Sequence, residues 1–389
     1  MTVLTGLDRL SQDDSDALRL VRGRRVGLVA HPASVTRSLA HAKDVLVAKG
    51  AIVRALFGPE HGYGGEAQDM IGVDNASDPE TGAPIHSLYG GSFDSLSPRR
   101  EWLDGLDALV VDLQDVGSRY YTFVWTAVLC ARVCDALGIE LIVLDRPNPL
   151  GGERLEGAPQ LPALRSFVGL RSVPVRHGMT IAEIVEDAAR DEGLGCVRTV
   201  KMQGWQRSML FRETGLPWVL PSPNMPTPET ALVYPGGCLL EGTNASEGRG
   251  CTRPFELFGA GYVDAPALAA AMHRDGGPGF VARATTFRPT FHKWAAENIG
   301  AVQVHVTDAA AFEPYRAYLA AIAHLRTCEG FRWRTDAYEF VDDVPAIDLL
   351  TGDGRVREAI DQGASIEAIM AVGRERLAEW DATARQIYR

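Results

Sequence analysis

The chain has 389 residues, 46% hydrophobic and 23% charged, an ordinary globular composition that excludes a disordered or fibrous protein. Its 39 lysines and arginines face 50 aspartates and glutamates, and a formal charge of −11 argues against a duplex-coating nucleic-acid binder, which needs a positive face. The six cysteines are too sparse for a disulfide scaffold, and Cys130 and Cys134, four apart in an apolar stretch, read as buried thiols of a reducing compartment rather than a metal site.

The first residues show no basic segment leading into an apolar one, and no stretch has the length of a membrane span. A cytoplasmic protein without membrane contact is therefore expected. Short apolar runs at 25–30, 52–57, 108–113, 140–144 and 197–202 read as strands, and so does 231–240, although two glycines break it. Between them 39–49, 123–137 and 181–192 read as helices, the last behind a Thr180 cap. Such alternation implies a mostly parallel sheet with helices on both faces. From about residue 259 the pattern changes. Helical stretches at 263–273, 309–325, 356–362 and 366–387 surround an alternating strand at 301–307. The reading is an α/β domain over 1–262 and a smaller C-terminal α+β domain over 263–389.

Ligands of open α/β sheets bind beyond the carboxyl ends of the strands, so the residues after each run carry the functional argument. They include His31 and Ser34, then Glu60 and His61 in GPEHG, then Gln114, Asp115, Arg119 and Tyr120. Asp145, Arg146 and Asn148 follow, and lastly Glu241, Asn244, Glu247 and Arg249. No G-x-G-x-x-G follows the first run and no P-loop occurs, so neither a dinucleotide nor a nucleotide cofactor is indicated. A G-x-S-x-G elbow is missing, and the histidines have no metal-ligand spacing, so no metal is expected.

Carboxylate chemistry remains. Glycoside hydrolysis normally takes one carboxyl group to protonate the leaving oxygen and another to activate water or attack the sugar. Glu60, between flanking glycines, is the acid candidate, its alternative being a solvated loop glutamate. Glu241 and Glu247 are candidates for the second carboxylate, against a plain loop role for at least one. Asp145, in DRPNP, reads rather as a turn or cap. Arg119, Arg146, Arg249 and Arg253 could grip an acidic substrate through a bidentate fork, or pair internally with Asp112, Asp115 or Glu247. Tyr120, Tyr121 and Trp125 could offer a sugar platform, though Trp125 also fits the core.

The motifs FGPEHG, VDLQDVGSRYYT, LDRPNPLGG, PSPNMPT and LEGTNASEGRGCTRPFELFGA, in this order, resemble the bacterial DUF1343 family, associated with exo-β-N-acetylmuramidases of the NamZ type. The resemblance spans nearly the whole chain, and the motifs are long and idiosyncratic. It implies release of N-acetylmuramic acid (MurNAc) from the non-reducing end of peptidoglycan fragments. It also implies a Rossmann-like N-terminal domain used without a dinucleotide and a C-terminal domain bordering the cleft. Glu60 becomes the leading catalytic residue, and Asn224 of PSPNMPT joins the binding candidates. The partner implied is a small molecule, a MurNAc-containing disaccharide or muropeptide. Cys251 departs from the family, which often has Thr there. A non-catalytic binder of amino sugars using the same rim is the alternative.

Overall fold

The computed structural model describes residues 2–68, 76–380 and 385–388. Its first half is built on a sheet of seven strands: β1 (Arg25–Ala30), β2 (Ile52–Gly58), β3 (Ala76–Ser77), β4 (Pro84–Ser87), β5 (Ala108–Asp112), β6 (Glu140–Leu144) and β7 (Val197–Val200). The order is β3-β4-β2-β1-β5-β6-β7, parallel throughout except that β3 runs antiparallel on β4 at the edge. Without β3 this is the doubly wound Rossmann order, with its reversal between β1 and β5. The central strands read as continuous apolar runs because both faces are buried. Leu109 and Val111 of β5 enter one core, and Ala108 and Val110 enter the other. Helices Phe123–Leu137 and Ile181–Glu192 form as expected, the second behind a reciprocal capping box of Thr180 and Glu183.

The second half carries an antiparallel sheet of three strands in the order β8-β10-β9, from β8 (Leu257–Ala260), β9 (Phe280–Phe287) and β10 (Ile299–Val306). Helices Ala265–Asp275 and Pro314–Arg326 flank it. The larger core runs without a break from the parallel sheet into this half, joining Val111 and Phe123 to Phe258, Tyr318 and Leu350. Among the described residues no helix is long and apolar enough to cross a membrane.

Three readings need correction. The run 231–240 is not a strand: it forms the helix Pro228–Gly237 and the 3-10 turn Cys238–Gly242. Thr227 caps this helix by accepting the Thr230 amide, and Pro228 starts it. Burial of seven of its ten residues leaves no polar stripe to mark a helix, so periodicity alone misleads. Its glycines serve packing, since a Cβ at Gly236 would lie 2.1 Å from the Pro314 carbonyl oxygen. The stretch 366–387 is not one helix but Ile366–Ala371 and Arg374–Glu379, broken at left-handed Gly373, with residues 381–384 outside those described. The helix read at 39–49 starts only at Ala42, behind a His41 cap.

Candidate active site

Glu60 owes its position to the glycines around it. A Cβ at Gly58, where β2 ends, would lie 2.1 Å from the Tyr63 amide nitrogen, so only glycine lets the loop fold back on the strand. His61 and Gly62 then adopt left-handed φ values of 73° and 83°, and the Gly62 amide closes onto the Pro59 carbonyl at 2.9 Å. His61 Nδ1 lies 2.8 Å from the Ala67 carbonyl oxygen, which fixes the ring. Glu60 is held from the loop after β5, on the far side of β1: Thr122 Oγ1, at the start of helix Phe123–Leu137, donates to Glu60 Oε2 at 2.8 Å. The hydroxyl that would ordinarily cap the helix is thus directed at the carboxylate.

Glu60 and His61 line a recess of about 500 Å³, counting the space open at its mouth. Tyr120 to Phe123 form one wall, and Ser222, Asn224 and Met225 another. Tyr234, Glu241, Arg249 and Phe255 enclose the side toward the second half. Glu241 accepts from Arg249 Nη2 and from the Tyr338 hydroxyl, both at 2.7 Å. Arg249 also lies over the Phe255 ring, 5.5 Å from its centre. Glu247 does not line the recess. It is wholly buried behind Arg249, with Lys293 Nζ at 3.0 Å, His292 Nδ1 at 3.1 Å and Arg249 Nε at 3.2 Å. Although burial opposes ionisation, the Lys293 ammonium, the His292 hydrogen bond and the Arg249 guanidinium hold its carboxyl well below the usual range. Glu247 is therefore a fixed anion that anchors Arg249.

Of the candidate residues, the structure gathers Glu60, His61, Tyr120, Asn224, Glu241 and Arg249 around one recess. Tyr121 lines it as well, but the others lie elsewhere. Arg119 is completely buried, and its guanidinium donates to the carbonyls of Ala158, Val173 and Leu350. Arg146 forks onto Asp112 at 2.5 and 2.8 Å and donates to the Val35 carbonyl, the internal pairing that competed with a substrate role. Asp145 caps the helix Ile181–Glu192, accepting from Thr180, the Ala182 amide and the Tyr388 hydroxyl. Asn148 braces its own turn and the Met179 carbonyl, and Asn244 ties Gly330 to Tyr262.

His31, Ser34, Gln114 and Asp115 form a buried layer beneath the site. His31 accepts the Gln114 amide on Nε2 at 2.9 Å, and burial pushes its pKa well below the ordinary value, so it stays neutral. Ser34 binds the Asp112 carbonyl, Gln114 holds the Asp115 and Pro147 carbonyls, and Asp115 accepts the Gly117 amide. Trp125 belongs to the core, its indole donating to the Arg119 carbonyl. Among the described residues no group of three or more His, Cys, Asp and Glu side chains is placed to hold a metal ion.

Sequence reasoning missed Thr122, Ser222, Tyr234, Phe255, Tyr338 and Glu339, all of which line the recess. Thr122 and Ser222 do lie within or beside quoted motifs. Tyr338 and Glu339 sit in RTDAYEFVDD, and no strand-end rule connects that segment to a rim in the other half. Their turn is strained: Glu339 and Phe340 have φ values of 47° and 69°, a conformation that costs a non-glycine residue on the order of 1–3 kcal/mol.

Known proteins share this architecture. Residues 26–229 match the family described as exo-beta-N-acetylmuramidase NamZ, N-terminal, and residues 232–389 match its C-terminal counterpart. The chain is 40% identical to the peptidoglycan beta-N-acetylmuramidase NamZ of Bacillus subtilis (strain 168) over 386 residues, 99% of this chain and 90% of that relative. The crystal structure of a DUF1343 family protein from Bacteroides fragilis aligns with a TM-score of 0.87 at 29% identity, covering 100% of this chain and 99% of its own. A second such protein from the same organism, at 23% identity and a TM-score of 0.75 with the same coverage, is similar in fold. The long motifs, the sheet order and both halves of the chain agree: the chain belongs to the NamZ exo-β-N-acetylmuramidase family.

Proposed function

We propose that this chain releases MurNAc from the non-reducing end of small peptidoglycan fragments such as MurNAc-N-acetylglucosamine (MurNAc-GlcNAc), with Glu60 as general acid. Membership of the family makes it a glycosidase of peptidoglycan-derived substrates. The observation that supports the finer reading is the convergence of Glu60, Glu241 and Arg249 on one recess. Glu60 delivers its proton to the glycosidic oxygen as the bond from that oxygen to C1 breaks, and GlcNAc leaves as the neutral alcohol. Arg249 reads the lactyl carboxylate that distinguishes MurNAc from GlcNAc, and the buried Glu247 holds its guanidinium in place. Imported wall fragments in the cytoplasm are the setting this reading favours. The unpaired thiols of Cys130, Cys134, Cys196 and Cys238, all buried, suit a reducing compartment.

Mass spectrometry of MurNAc-GlcNAc incubated with the protein tests the proposal. Free MurNAc and GlcNAc are expected. A thermal shift with MurNAc but no cleavage would make the chain a binder instead, and equal turnover of GlcNAc and MurNAc glycosides would remove the lactyl group from the reading.

A further inference from the structure

We infer that Glu339, carried on a two-residue turn from the C-terminal half, is the second carboxylate of the active site and acts on the sugar face opposite the leaving oxygen. The inference rests on the muramidase reading above. Glu60, Glu241 and Glu339 are the carboxylates lining the recess among the described residues. Glu241 already uses one oxygen for Arg249 and the other for Tyr338, which suits an anchor of the arginine better than a group that must take a proton or bond to carbon. Glu247 lies behind the wall, held by Arg249, His292 and Lys293.

The turn carrying Glu339 is built at the expense of backbone comfort. Tyr338 and Val341 exchange both backbone hydrogen bonds, at 2.8 and 3.0 Å, around Glu339 and Phe340. Both central residues are left-handed, the mirror-image turn that normally selects Asn-Gly. Such strain persists only where the surroundings impose it, and it gathers at functional sites. Here the surroundings are visible. The Tyr338 hydroxyl is bound to Glu241, the Tyr89 hydroxyl donates to Glu339 Oε2 at 3.1 Å, and the Phe340 ring packs 5.8 Å from Tyr89. The turn is pinned at its Tyr338 end and at its tip, where a carboxylate is set in the wall that Glu60 shares.

In the reaction, Glu339 takes a proton from water as the water oxygen bonds to C1. The bond from C1 to the glycosidic oxygen breaks, and its electron pair accepts the proton of Glu60. Replacement by glycine separates this role from a structural one, because glycine adopts left-handed φ without strain. With Glu339→Gly the thermal midpoint should hold or rise while MurNAc-GlcNAc turnover falls by about 10²–10⁴-fold. Added azide should then occupy the vacated place and yield the α-glycosyl azide of MurNAc from the β-linked substrate. Glu339→Gln, which keeps the side chain's size, should lose turnover similarly. Near wild-type cleavage by either variant would overturn the inference, and so would an inactive Gly variant that forms no azide adduct. Failure of the wild-type protein to cleave the disaccharide would instead overturn the underlying reading.

Discussion

Glutamine in place of Glu60 keeps the shape that meets Thr122 but carries no transferable proton. Turnover of MurNAc-GlcNAc by Glu60→Gln should fall by about 10²–10⁴-fold with binding of MurNAc retained. Aryl glycosides, whose leaving groups need little protonation, should lose less, and steady-state kinetics on both substrates checks this. A uniform loss across leaving groups would assign Glu60 to binding. At Arg249 the informative change is to lysine, because removing the charge altogether would leave Glu241 and Glu247 without it in the interior. Lysine keeps a cation but loses the planar fork, so Arg249→Lys should narrow the MurNAc over GlcNAc preference by roughly ten-fold, about 1.4 kcal/mol. Relative kcat/KM values for the paired glycosides measure it.

Between strand β6 and helix Ile181–Glu192 lies a buried contact with a clear pH signature. Burial pushes the Asp145 carboxyl up from 3.8 to about 7, against the hydrogen bonds from Tyr388, Ala182 and Thr180. The folded state therefore binds this proton more tightly than the unfolded chain. The associated stability is complete below pH 3.8 and is lost as the pH rises to about 7. Urea unfolding at pH 5 and pH 8 should show the wild type losing up to roughly 2–3 kcal/mol relative to Asp145→Asn over that interval. A gap independent of pH would mean that Asp145 is ionised throughout. The same elements explain what could be read in advance. Strands such as β5 and β6 are legible because a sheet buried on both faces demands uninterrupted apolar residues, and the ends of β2 and β5 then locate Glu60 and the Tyr120 wall. The helix Pro228–Gly237 is illegible by the same rule, since burial of most of its residues makes a helix look like a strand. Glu339 was beyond reach because its place depends on a contact with Tyr89, 250 residues earlier in the chain.

At the scale of the whole molecule, Arg119 joins the two halves. It donates to Ala158 and Val173 in the first half and to Leu350 in the second, and a common core surrounds it. Each buried carbonyl left without its donor costs roughly 1–3 kcal/mol, so Arg119→Met should destabilise both halves together. Calorimetry should give one transition at a lower midpoint, coincident with loss of activity, and separate transitions would show that the halves fold independently. The recess has a consequence for biosynthesis. A chain emerging from the ribosome presents Glu60 early, but Arg249 and the turn at Glu339 only much later. No nascent fragment short of that turn has a complete recess, so activity begins only once synthesis has passed it.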